Sequence, residues 1–216
     1  MKRYGIERRQ FMQYLATVSA IPTLATTVAG YVDKNPKFKQ NPFTLSVASG
    51  DPEPYGVVIW TRLSESPLIG EVTLETPIEV KWEVAHDESF KSIAKKGTAL
   101  AVPQLGHSVH VEVQGLEPDR WYFYRFHAGS ETSPVGRTRT TPEKHVMPQR
   151  MQFAFTSCQH YESGYFNGYP HMTNEDLDLV IHLGDYIYEY AGVDNRVRKH
   201  LGKEIESLAN YRQRYG

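Results

Sequence analysis

From Phe43 to Thr141 apolar and polar positions alternate with a period of two. Ile78, Val80, Trp82 and Val84 alternate with Glu79, Lys81 and Glu83, and Val109, Val111 and Val113 alternate with His110 and Glu112. Successive side chains of a strand point to opposite faces of a sheet, so this period predicts strands buried on one face only. Further strands are expected over Thr44 to Ala48, Val57 to Arg62, Ala94 to Val102, Trp121 to His127 and Val135 to Thr140. Short strands at this density predict a β-sandwich spanning residues 43–141. His107, His110 and His127 lie in or beside these strands without close metal-ligand spacing, and read as solvent-facing residues.

After a polar linker at 142–150 the pattern changes. Gln152 to Ser157 reads as a strand, Gly164 to Met172 as a weak helix weakened further by Pro170, and Leu179 to Leu183 as an apolar run without alternation. Strands apolar at nearly every position are those covered on both faces in parallel sheets, so residues 151–216 open with a β-α-β unit. A right-handed crossover places the two strands side by side, about 4.8 Å apart. Cys158 and Asp185, each just past a strand's C-terminal end, can then reach a common ion. Leu208, Tyr211 and Tyr215 fall on one face of a final amphipathic helix.

The first thirty residues do not share these patterns. Lys2, Arg3, Arg8 and Arg9 precede an apolar run from Phe11 to Ala29 that ends in small residues, which is the layout of an export signal. Glu7-Arg8-Arg9-Gln10-Phe11-Met12 resembles the twin-arginine motif, with Glu7 where Ser or Thr is usual. Gln13, Tyr14, Thr17, Ser19 and Pro22 interrupt the run, which argues against a permanent membrane anchor. Residues 1–30 are therefore expected to direct the chain through the twin-arginine export machinery to the periplasm or the exterior, with 31–42 as a linker. The formal charge of −1 provides no electrostatic footprint for stable nucleic-acid binding. The single cysteine excludes an intrachain disulfide and leaves Cys158 as either a small buried hydrophobe or a ligating thiol.

The chemistry at the strand ends is that of a metal site. Gly184 permits a tight turn before Asp185, whose carboxylate is a hard donor able to bridge two cations. Tyr188, three residues on, can return to the same side in one helical turn, and its phenol ligates only when a highly charged ion lowers its pKa. A thiolate, a carboxylate and a phenolate together favour ferric iron over magnesium. The plain alternatives are an ordinary Gly-Asp turn and a packing aromatic beside Tyr186 and Tyr190. The chain has no Gly-x-Ser-x-Gly elbow and no His-Glu-x-x-His, which sets aside a serine hydrolase and a zincin.

Two resemblances sharpen this reading. Gly115-Leu-Glu-Pro118 leading into Tyr122 resembles the tyrosine corner of fibronectin type III domains. The stretch from Phe43 to Leu63, then Ser133 to Thr140, Phe153 to Cys158 and His182 to Tyr188, closely resembles the PhoD-like phosphatase family, also called alkaline phosphatase D. That resemblance implies a fibronectin-III-like β-sandwich followed by the first β-α-β part of a calcineurin-like metallophosphatase domain. It implies hydrolysis of phosphate mono- or diesters by a metal-bound hydroxide at an iron and calcium centre. Carried over by position, Cys158 and Tyr188 resemble iron ligands and Asp185 the carboxylate bridging iron (Fe3+) to calcium. Ser46 stands where the family usually has glycine, and Pro170 falls in a segment usually helical. The family's Trp-Asp-Asp-His-Glu block has no counterpart before Gly216, so the chain is expected to be an incomplete, inactive part of the enzyme, with 150–216 poorly ordered alone. The competing reading is a non-catalytic, exported β-sandwich binding module with a vestigial tail.

Overall fold

The computed structural model describes residues 31–66, 68 and 75–216, and the expected export signal lies outside them. Its alternating segments form two sheets around one core. The first holds β1 (Val47–Glu53), β2 (Gly56–Arg62) and β5 (Ser108–Gln114), in the order β1-β2-β5 and antiparallel throughout. The second holds β3 (Ile78–Ala85), β4 (Ile93–Ala101) and β6 (Trp121–Ala128), with the short β7 (Glu131–Thr132) and β8 (Gly136–Arg139) both paired to β6. Val57, Ile59, Val109, Val111 and Val113 of the first sheet share one buried cluster with Val80, Val84, Tyr122, Tyr124 and Phe126 of the second. Burial of each such side chain stabilises by about 1.5–3 kcal/mol, which is why the alternation dictates the layering.

The corner at Tyr122 forms as its sequence suggests. The ring is fully buried, and the Glu117 amide donates to its hydroxyl at 2.8 Å. Strand order and corner together give a fibronectin-III-like sandwich. The first strand starts later than expected, at Val47 instead of Thr44. Thr44 and Leu45 form a turn, and Ser46 follows with φ 60°. The backbone at Ser46 thus turns left-handed, a conformation costing a residue with a side chain about 1–2 kcal/mol.

His107 departs from its solvent-facing reading. A 3-10 turn at Pro103–Leu105 folds the chain inward, and the ring is 1% exposed with Nε2 3.1 Å from the Thr76 carbonyl oxygen. His110 stays exposed, and His127 is half-buried with Nε2 3.3 Å from Glu83. Residues 32–42 lie along the sandwich, tied by Asp33 to Pro77 and Glu79 at 2.9 and 3.0 Å, with Pro36 and Pro42 buried.

Beyond the sandwich, β9 (Phe153–Thr156) and β10 (Leu179–His182) pair in parallel in the expected register, Leu179 opposite Phe153 and His182 opposite Thr156. Between them α1 (Gly168–Met172) is only five residues long. Its Pro170 sits in the first turn, where a missing N–H breaks no helical bond. The last helix, α2 (Leu208–Arg214), begins with a capping box between Ser207 and Asn210. Its apolar face is left open to solvent, with Leu208, Tyr211 and Tyr215 exposed. The helix is held through its polar side, with Arg212 donating to the Gln104 carbonyl at 3.0 Å and Gln213 to that of Leu68 at 2.8 Å. Arg139 of β8 joins the two halves by pairing with Asp119 at 2.5 Å and with Asp178, which itself accepts from the Gln152 amide at 2.9 Å just before β9.

Candidate metal centre

The parallel ladder continues past the ends of β9 and β10. Leu183 N donates to the Thr156 carbonyl at 2.8 Å, and Cys158 N to that of Gly184 at 3.1 Å. These two bonds bring the residue after each strand to a common edge, as open parallel sheets do at their C-terminal ends. Cys158, Gly184 and Asp185 all have positive φ, at 56°, 125° and 52°. Two residues with side chains held in the left-handed region at one strand edge mark a place where local backbone strain is tolerated.

Three donors converge there. The Cys158 Sγ lies 3.6 Å from Oδ2 of Asp185, and the Tyr188 hydroxyl donates to the same oxygen at 3.1 Å. Tyr188 arrives without the expected helical turn, since residues 185–189 follow an irregular path. Arg214 of α2 fixes that path by donating to the carbonyls of Tyr188 and, at 3.1 Å, Tyr190. Ile205 N reaches the Glu189 carbonyl at 2.9 Å. The sequence pattern marked α2 as an amphipathic helix and did not reveal this latch. The signal was available in the arginines of its last turn, which are suited to bind carbonyl groups of a neighbouring irregular segment.

The pKa of Tyr188 is pushed up to about 12, first by loss of solvation, then by the hydrogen bond and charge of Asp185, with Cys158 adding to the effect. The phenol therefore remains protonated between these two neighbours, and only a strongly charged cation would reverse the preference. The thiol of Cys158 is exposed, which rules out the buried-hydrophobe reading. Donors about 2.1–2.3 Å from one ion, at angles of 90–110°, lie about 3.0–3.6 Å apart. The separations of 3.1 and 3.6 Å fit that requirement, so the thiolate, carboxylate and phenolate set suits one ion of ferric type. Among the described residues no group of three or more His, Cys, Asp or Glu side chains is gathered that could hold a metal ion.

Other aromatic and imidazole groups surround this edge. The His160 ring lies 4.8 Å from that of Tyr188 and 5.9 Å from that of His200. Tyr186 stacks on Tyr215 at 5.5 Å. The centre is thus open on the thiol and carboxylate side and flanked by rings on the phenol side.

Residues 27–142 match the profile of the PhoD-like phosphatase N-terminal domain, and residues 153–216 that of the PhoD-like phosphatase. Alkaline phosphatase D of Bacillus subtilis (strain 168) is 48% identical over 218 residues, which cover 97% of this chain and 37% of that protein. A solved structure of PhoD, 52% identical, covers 83% of this chain and 35% of its own length, and superposes with a TM-score of 0.81. The chain spans little more than a third of the length of these relatives.

Proposed function

Because the chain belongs to the PhoD-like phosphatase family, we propose that it serves an exported enzyme hydrolysing phosphate mono- or diesters at an iron and calcium centre. In this reading β9, α1 and β10 open a calcineurin-like α/β domain. The observation that carries the proposal is the convergence of Cys158 and Tyr188 on one carboxylate oxygen of Asp185. Cys158 and Tyr188 would hold iron, and Asp185 would bridge it to calcium. When bound, such ions generate a nucleophile from water near neutral pH and offset charge on the phosphoryl oxygens. The chain's own contribution is placement. The β9–β10 ladder sets Cys158 and Asp185 at one edge, Arg214 holds the main chain that carries Tyr188, and Asp185 accepts a hydrogen bond from the Tyr188 phenol.

The sandwich acts in this reading as a brace, through Arg139 and Asp178 at the foot of β10. Delivery to the periplasm or the exterior by a twin-arginine signal belongs to the same proposal. No helix among the described residues is long and apolar enough to cross a membrane. The test is release of p-nitrophenol from mono- and diester substrates by this sequence extended to the full length of its relatives, with and without Asp185→Asn. Loss of turnover in the variant, with the fold retained, supports the proposal. Equal turnover in both refutes it.

A further inference from the structure

Glu162 is 2% exposed, although it lies in a region where most side chains are open to solvent. Its Oε1 accepts from the amides of His200 at 2.9 Å and Val193 at 3.1 Å, and Oε2 accepts from Val193 at 3.2 Å. Its own carbonyl accepts from Val197 N at 3.2 Å. One residue therefore ties down both ends and the middle of 193–200. Where the ends of that strap meet, a Cβ on Gly192 would come within 2.7 Å of the His200 carbonyl oxygen, so the closure is built around a residue without a side chain. Arg198 holds the outer side, donating from Nε to the Tyr161 carbonyl at 2.9 Å and lying 4.1 Å over the Tyr161 ring and 4.5 Å over Phe166.

The strap leads to the phenol of the metal centre. It delivers the His200 ring, which stacks on Tyr161 at 5.0 Å and lies 5.9 Å from His160. His160 accepts at Nδ1 from the Glu162 amide at 3.2 Å and packs against Tyr188 at 4.8 Å. We infer that Glu162 is a positioning residue for Tyr188: its carboxylate closes the 192–200 strap, which sets the His200 ring beside His160 and anchors the main chain at 162, whose N–H donates to the His160 ring behind the phenol. A buried carboxylate is tolerable here because backbone N–H groups take the place of water around it. Truncating the side chain leaves those donors buried and unpaired, so the strap opens. Both ends of the strap reach Oε1, so a neutral amide with its oxygen in that place is sufficient. The inference rests on the proposed phosphatase centre only where it treats Tyr188 as a ligand.

The test compares this chain with Glu162→Gln and Glu162→Leu, using amide hydrogen exchange and the nuclear Overhauser contact between the His160 and Tyr188 rings. In the parent chain the Val193 and His200 amides should exchange more slowly than those of the exposed turn 194–196, and the ring contact should be seen. Glu162→Gln should keep both features, and Glu162→Leu should lose both. A third readout is affinity for ferric iron, followed by phenolate absorption: Glu162→Leu should weaken it roughly 10-fold, as loss of an outer supporting group does. Fast exchange at Val193 and His200 in the parent overturns the inference, as does a ring contact that survives Glu162→Leu or is lost in Glu162→Gln. A parent chain that develops no absorption with iron would count against the metal centre, while exchange and the ring contact would still decide the role of Glu162.

Discussion

In the sandwich, alternate side chains of β2, β3, β5 and β6 end in one core, with Ile59, Val80, Val84 and Phe126 fully enclosed. In β9 and β10, two of the most apolar segments of the chain, Phe153, Phe155, Val180 and Ile181 remain 54%, 63%, 49% and 37% exposed. The two regions differ in how their strands find cover. Half-buried strands need one partner surface, and the second sheet supplies it within about a hundred residues. Strands that are apolar on both faces need cover from both sides, and the described residues place α1 and α2 nearby without covering them. The region that carries the candidate chemistry is therefore held by hydrogen bonds from Arg214, Arg139 and Glu162 more than by a core.

This contrast predicts unequal costs for the same substitution. Phe126→Ala, which empties the centre of the sandwich, should lower stability in urea melts by about 3–5 kcal/mol. Phe155→Ala should change the same melt by less than about 0.5 kcal/mol, as exposed positions do. Near-equal losses would break the comparison. Next in size is Tyr122→Phe, which removes the acceptor of the part-buried Glu117 N–H. A loss of about 0.5–1.5 kcal/mol in the same melt is expected.

Acid should separate the two regions further. The carboxyl of Glu162 is held below its ordinary pKa chiefly by the His200 amide, against the effect of burial, with Val193 adding to the lowering. A group whose folded pKa is depressed stabilises fully above its unfolded pKa, near 4.3 for glutamate, and loses that contribution as pH falls through the folded value. Amide shifts of Val193 and His200 should therefore move on acidification below the ordinary carboxyl range, while that of Ile59 in the sandwich core, away from the likewise lowered Glu83 and Asp87, does not. A small effect of the opposite sign is expected at Ser46, where φ is 60°. Ser46→Gly relieves a left-handed serine but adds freedom to the unfolded chain, so the melt should shift by no more than about 1 kcal/mol, toward greater stability.

Much of this was legible from the residues. The period-two pattern yields the sandwich because each strand finds its partner surface within the chain. The adjacency of Cys158 and Asp185 follows from one β-α-β crossover, which leaves few alternative placements. The path of Tyr188 was not legible, because 185–189 has no regular period and is fixed by Arg214 and Ile205, 26 and 17 residues further on. Glu162 was missed because a glutamate between Tyr161 and Ser163 reads as surface, and only its backbone partners at 193 and 200 bury it. His107 was misread for the same reason, since the inward fold depends on the turn before it and on the Thr76 carbonyl.

The most direct test of the account is a titration of the protein with ferric iron at neutral pH, followed by visible absorption. A phenolate-to-iron band that saturates at one ion per chain and disappears in Tyr188→Phe is the predicted result. A titration that stays colourless, or a band unchanged in Tyr188→Phe, would contradict the assignment of Cys158, Asp185 and Tyr188 to one metal ion.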